Sequence, residues 1–166
     1  MVEISSGKRP PIKQDTISEK FNIPLIGASN LMGYTNEILY NEPILVIGRV
    51  GTLGIIQKLN IPCWTSDNTL VLKTKYYEYI FQILNGIDYQ KLNRGSTQPL
   101  ITQNDLKNIK ILFPTLDILT KFEEKISSLM KLNETYKKEI NFLNRLKNLL
   151  LPKLMNGEIN VENIKL

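Results

Sequence analysis

The chain has 166 residues, a mass of 19.1 kDa, 42% hydrophobic residues and a formal charge of +5, the profile of one ordinary globular core with an extension. A single cysteine, Cys63, and no histidine exclude intrachain disulfides, thiolate or imidazole zinc sites and any mechanism built on a Ser-His or Cys-His pair, so a metal would have to rest on carboxylates alone. The pI near 9.2 suits a nucleic-acid partner, yet basic residues outnumber acidic ones only 12 to 9 before Leu116 and 9 to 7 from there on; contact with nucleic acid must come from placement of charge, not bulk charge.

Between Ile23 and Lys73 the pattern is strand-like. Ile23 to Ile26, Ile44 to Arg49, Leu53 to Lys58 and Thr69 to Lys73 are short β-rich runs separated by Gly, Asn, Ser and Pro, which predicts a small, irregular, curved sheet. Cys63 beside Trp64 reads as a small buried hydrophobe. Lys75 to Leu84 carries Tyr76, Tyr79, Ile80, Ile83 and Leu84 on one helical face, with Asn85-Gly86 as the stop. Thr102 followed by Asp105 predicts an N-cap and a short helix near Gln103 to Lys107, and Ile109 to Phe113 reads as a last strand before Pro114.

After Pro114 the composition changes to Leu, Lys, Glu and Asn, with no Gly or Pro until Pro152. Leu119, Phe122, Ile126, Leu129, Asn133, Tyr136, Ile140, Leu143, Lys147 and Leu150 fall at alternating steps of three and four, the seam of a helix that needs a partner helix. About 35 helical residues give a rod of roughly 50 Å, interrupted at Pro152 and stopped again at Asn156-Gly157. Asn133 in the seam penalises wrong registers, while Lys147 can lay its stem there and send its ammonium to water. A second stripe of Leu132, Leu146 and Leu149 fits a helix packing on two neighbours; a helix folded back on its own domain is the alternative. The expected class is α+β: a small irregular β-sheet domain with short helices over residues 1–116, a long coiled-coil-forming helix over 117–151, and a turn and tail over 152–166.

Chemistry is concentrated in polar turns. Gly48-Arg49-Val50-Gly51-Thr52-Leu53-Gly54 has neither the Lys-Ser/Thr of a phosphate loop nor dinucleotide-loop spacing, and reads either as a tight turn bringing backbone and Arg49 close to something or as a structural turn alone. Asn93-Arg94-Gly95-Ser96-Thr97-Gln98-Pro99 carries a guanidinium, two hydroxyls and amides, groups that reach phosphates and base edges, although a solvated loop has the same composition. Thr65-Ser66-Asp67-Asn68 and Lys8-Arg9-Pro10-Pro11 add donors and acceptors of the same kind. No carboxylate pair sits in an acid-base context, and Glu123-Glu124-Lys125 reads as a solvated helix face. The adenine-methyltransferase Asn/Asp-Pro-Pro-aromatic motif is missing too, so the chain reads as one that binds and positions: not an enzyme, with no catalytic residue, metal or cofactor expected. No run approaches the roughly 20 apolar residues of a membrane span, and the start lacks a signal-peptide pattern, so a cytoplasmic, soluble protein with no membrane partner is expected.

Taken in order, Gly7-Lys8-Arg9-Pro10, Ile23-Pro24-Leu25-Ile26-Gly27-Ala28-Ser29-Asn30 with Gly33-Tyr34, the Gly48 to Gly54 turn, Trp64-Thr65-Ser66-Asp67-Asn68-Thr69, Gly95-Ser96-Thr97-Gln98-Pro99, Ile101-Thr102, Pro114 and the closing Leu149 to Ile159 resemble the specificity (S) subunit of type I restriction-modification systems. That subunit usually carries two target-recognition domains, each followed by a long helix; the helices pack antiparallel, and each domain reads half of an interrupted DNA site. This chain has one domain and one helix and lacks the family's opening tryptophan-containing strand, so the resemblance implies a half-length form that pairs with itself on two inverted copies of a half-site. The implied partners are double-stranded DNA, a second copy, modification subunits that bind S-adenosylmethionine and dock on the helices, and, in a system that has one, the restriction subunit. Candidate DNA contacts are Lys8, Arg9, Asn30, Arg49, Thr52, Asn68, Arg94, Ser96, Thr97 and Gln98; candidate dimer contacts are Phe122, Ile126, Leu129, Asn133, Tyr136, Ile140, Leu143 and Leu150. The rod would bound the half-site separation at about 15 base pairs. The rival readings are a coiled-coil adaptor whose globular part binds protein, and a nuclease or methyltransferase fragment.

Overall fold

The computed structural model describes residues 2–159. Two compact units divide the chain, Met1–Glu123 and Glu124–Leu166. The first holds seven short strands: β1 (Glu3–Ser6), β2 (Ile23–Ile26), β3 (Leu31–Thr35), β4 (Ile44–Gly48), β5 (Ile56–Leu59), β6 (Trp64–Thr65) and β7 (Thr69–Lys73). Two helices follow, α1 (Tyr77–Asn85) and α2 (Gln103–Lys107), with a 3₁₀ turn at Tyr89–Leu92 between them. The α+β class is as expected, but the strands form two sheets, not one. A four-stranded antiparallel sheet runs β1-β7-β4-β5, and a three-stranded sheet runs β3-β2-β6, with β6 parallel to β2.

The unbroken apolar run Ile44-Leu45-Val46-Ile47 explains the layering. Strand β4 is buried on both faces, as a central strand covered on two sides must be. Leu45 and Ile47, with Leu70 and Leu72 of β7, face Ile80, Leu84, Tyr89, Ile101 and Leu106 on the helical side. Ile44, Val46 and Val71 face Ile26, Tyr40 and Cys63 on the side of the second sheet. Cys63 is fully buried, and burial pushes its thiol up to about 11, in keeping with a packing residue.

Helix α1 has no side-chain cap of its own. The Glu123 carboxylate supplies one from a distance, accepting from the backbone N–H groups of Glu78 (3.0 Å) and Tyr79 (2.8 Å) and so satisfying donors that the first helical turn leaves free. Lys58 of β5 ties the same helix to the sheet: its Nζ donates to both oxygens of the buried Glu78 carboxylate at 2.6 Å and lies over the Tyr77 and Phe81 rings. Helix α2 starts where Thr102 predicts. Thr102 Oγ1 accepts from Asp105 N–H while Asp105 Oδ2 accepts from Thr102 N–H, a reciprocal capping box.

Three expectations need correcting. The Leu53 to Lys58 run begins as a strand only at Ile56, because Gly51 and Gly54 both adopt positive φ (80° and 81°) and hold Leu53 inside the turn. Ile109 to Phe113 pairs with no strand among the described residues; side chains of α1 and its entry hold it instead, through Tyr79 Oη donating to the Leu112 carbonyl (2.5 Å) and the Phe113 ring meeting Tyr76 edge-on. Pro152 does not interrupt the long helix, α3, which runs from Leu116 to Met155 and closes with Gly157 N–H on the Leu154 carbonyl. Strands β1, β3 and β6 were not anticipated; they are short, and β6 has only two residues on which alternation could register.

Within the first unit, Leu119 is fully buried and Phe122 meets Tyr79 edge-on at 5.8 Å. In the second unit the seam is open: Leu129, Tyr136, Ile140 and Leu143 are each more than half exposed. No helix among the described residues is long and apolar enough to cross a membrane.

Candidate nucleic-acid interface

The strand directions bring five polar segments to one end of the two sheets. The exits of β1, β2, β4 and β6 and the entry of β7 all lie there, since Ser6 pairs with Leu70, Gly48 with Thr69 and Ile26 with Thr65. Main-chain hydrogen bonds then fix the segments to one another. Gly7 N–H donates to the Thr69 carbonyl (3.1 Å) and Lys8 N–H to that of Thr65 (2.9 Å), while Trp64 Nε1 donates to the Lys8 carbonyl (2.8 Å). Ser66 N–H reaches the Ile26 carbonyl (2.9 Å), and the Gly27 carbonyl accepts from Gln57 Nε2 (2.8 Å). Arg49 is the crossing point: its N–H donates to the Asn68 carbonyl (3.0 Å), and its own carbonyl accepts from Ile101 N–H (2.9 Å). Gly51 N–H to the Pro99 carbonyl (3.0 Å) and a bridge between Val50 and Leu100 complete the weave.

The loop from Asn93 to Leu100 is closed on itself. Arg94 N–H donates to the Leu100 carbonyl (3.0 Å), and Asn93 Oδ1 accepts from both Gly95 N–H (2.9 Å) and Leu100 N–H (3.0 Å). Gly95 passes so close to the far limb that an added Cβ would stand 1.7 Å from the Gln98 carbonyl oxygen. Ser96, Thr97 and Gln98 are thereby presented, exposed, at the tip of an ordered loop.

The ten candidate DNA contacts fall into this arrangement as follows. Lys8 and Arg9 leave β1, Asn30 sits in the β2–β3 turn, Arg49 and Thr52 follow β4, Asn68 precedes β7, and Arg94, Ser96, Thr97 and Gln98 occupy the closed loop. All are exposed except Arg49, which is half-buried and makes no side-chain hydrogen bond or ion pair among the described residues. Its Nε is one of four buried side-chain polar atoms without a partner among the described residues, and Thr65 Oγ1 and Ser66 Oγ of the adjoining segment are two of the others. Arg94 differs: its Nε and Nη2 lie 2.7 and 2.6 Å from Asp105 Oδ1. A hydrogen bond from the Thr102 hydroxyl, reinforced by the Thr102 N–H and Arg94 and opposed by burial, holds the Asp105 carboxyl below the usual carboxylate range. The Asp105–Arg94 pair was invisible in the sequence, where Thr102 and Asp105 signal only a cap; Asn93 and Gln57 likewise carry no signal for the loops they anchor. No group of three or more potential metal ligands is found among the described residues.

Residues 1–145 match the family described as type I restriction modification DNA specificity domain. The chain belongs to this family. Among curated relatives, the specificity domain is 24% identical over 191 residues to the type I restriction enzyme MjaIX specificity subunit of Methanocaldococcus jannaschii, covering 99% of this chain and 44% of that protein. It is 29% identical over 153 residues to the MjaVIII specificity subunit of the same organism, covering 92% and 33%. The chain thus spans less than half the length of these curated relatives. Among solved structures, the fold is shared with the type I restriction-modification S subunit from M. genitalium at a TM-score of 0.73 and 15% identity, over 92% of this chain and 43% of that one. A chain from a structural study of complex assembly and conformational transition in the type I R-M system gives a TM-score of 0.53 at 18% identity, over the same shares of the two chains.

Proposed function

We propose that this specificity domain is the non-catalytic DNA-recognition part of a type I restriction-modification enzyme. Its globular part, residues 1–116, reads one half of a bipartite site through the five-segment cluster. The observation that carries this reading is the convergence of Lys8, Arg9, Arg49 and Arg94 with exposed amides and hydroxyls on a frame held by main-chain hydrogen bonds. Such a surface combines phosphate-directed cations with groups that match base edges.

In the same reading, α3 is spacer and dimer contact. Its seam from Ile126 to Leu150, exposed from Leu129 onward and with Asn133 and Lys147 as polar members, pairs with the same seam of a second copy, and the dimer meets an inverted repeat. Modification subunits that bind S-adenosylmethionine, with the restriction subunit beyond them, dock along the helices, and the complex works in the cytoplasm.

Salt-dependent binding tests the DNA assignment. If Lys8, Arg9 and Arg49 each neutralise one phosphate, the slope of log K against log salt is about −2.7 per chain, a fall of roughly 40-fold between 50 and 200 mM. A protein-binding adaptor gives no retention on mixed-sequence DNA. Sedimentation tests the pairing: the full chain is dimeric at micromolar concentration and Leu143→Asp is monomeric, and a monomeric unmodified chain removes the homodimer.

A further inference from the structure

We infer that Arg94 reads a guanine edge and that Asp105 is the residue that positions it. The inference rests on the DNA-reading assignment above and divides the cations of the cluster into two classes. A guanidinium has five N–H donors in a planar fork. Arg94 spends Nε–H and one Nη2–H side-on against Asp105 Oδ1, which leaves the end-on pair, one N–H from each terminal nitrogen, for another acceptor. That pair matches the O6 and N7 acceptors of guanine in the major groove.

Burial distinguishes this pair from an ordinary surface salt bridge. The Asp105 side chain is only 6% exposed and is fixed by the Thr102 N–H and hydroxyl, whereas the Arg94 side chain is 63% exposed. The carboxylate is thus a rigid post and the guanidinium the part that faces outward, bordering a concavity of about 360 Å³ shared with Lys91, Asn93 and Asn108. Pre-aiming removes much of the rotamer freedom that a long side chain loses on binding. Lys8 and Arg9 are exposed and have no such post among the described residues; they suit phosphates, where charge matters more than aim.

The test uses the full chain and a random double-stranded DNA library. The enriched half-site contains a guanine whose replacement by 7-deazaguanine, which lacks the N7 acceptor, lowers wild-type affinity about 10-fold or more. Asp105→Asn retains an oxygen to accept from Thr102 N–H, and is expected to be indifferent to that replacement while keeping its preference at the other positions and its salt slope. Arg94→Lys keeps the charge and loses the fork, so it gives the same result should Asp105→Asn not fold. A purely structural role for Asp105 weakens all positions alike and overturns the inference, as does guanine preference surviving in both variants. Arg94→Gln lowering the salt slope by about one with preference intact would make Arg94 a phosphate contact, overturning the inference while the DNA reading stands. Absence of any enriched site or salt-dependent binding overturns the DNA reading and the inference with it.

Discussion

Gly95→Ala is the sharpest test of the closed loop. The new Cβ would stand 1.7 Å from the Gln98 carbonyl oxygen, 2.8 Å from its carbon and 3.2 Å from Leu100 N. All three are backbone atoms that no rotamer change can move aside. Reaching an ordinary contact of 3.4 Å requires the two limbs to separate by about 1.7 Å, which takes the 3.0 Å Arg94–Leu100 hydrogen bond out of range and strains the two bonds to Asn93 Oδ1. At about 1 kcal/mol net for each hydrogen bond, and with water replacing some of them, the local cost is about 1–3 kcal/mol. The loop lies outside the two core clusters, so the cost falls on local opening and not on global unfolding. Amide exchange at Arg94 and Leu100 should accelerate roughly 5- to 150-fold, while the melting temperature hardly moves. On the proposed DNA reading, displacing Ser96 to Gln98 by more than 1 Å also takes them away from base edges, so affinity for the selected site should fall by a similar factor. Unchanged exchange at these two amides would refute the geometric reasoning; fast exchange with unchanged DNA selectivity would remove the loop from the interface.

The remaining predictions concern the frame. Glu123→Ala removes the remote cap of α1 and should cost about 1–2 kcal/mol, seen as a fall in melting temperature of roughly 4–8 °C; an unchanged melt would show that solvent replaces the carboxylate. Cys63, buried and with its thiol pushed up to about 11, should resist a thiol reagent at pH 8 until the protein is denatured, and labelling at the rate of a free thiol would contradict that burial. Because the Asp105 carboxyl lies below its ordinary value, its contribution to stability is complete above about pH 4 and is lost as pH falls through the folded-state value. Acid titration of the melt should be shallower below about pH 4 in Asp105→Asn than in the wild type, and parallel curves would refute the linkage.

The legible parts of the fold were those where one local rule decides. Thr102 and Asp105 announce α2 because a capping box is a four-residue signal, and Ile44 to Ile47 announces a buried strand because nothing polar interrupts it. The three-four seam announces α3, and Leu119 and Phe122 keep its period while packing within the first unit, because period alone does not say which neighbour a face meets. Pro152 sets a cost and not a fixed stop: its ring removes one N–H and crowds the carbonyl four residues back, yet the helix runs on to Met155. For the candidate site, the polar turns were readable one by one, as glycines and short polar residues are. Their convergence was not, because it depends on sheet order: Arg49, Asn68 and Ile101 meet through β4 and β7, and no spacing in the sequence encodes that adjacency.

The weave at Arg49, Gly51, Ser66 and Ile101 is made almost wholly of peptide groups, which every residue other than proline carries in full. Tip side chains can therefore be exchanged without disturbing the knot beneath them. A scaffold of this kind separates inheritance of shape from inheritance of tip chemistry.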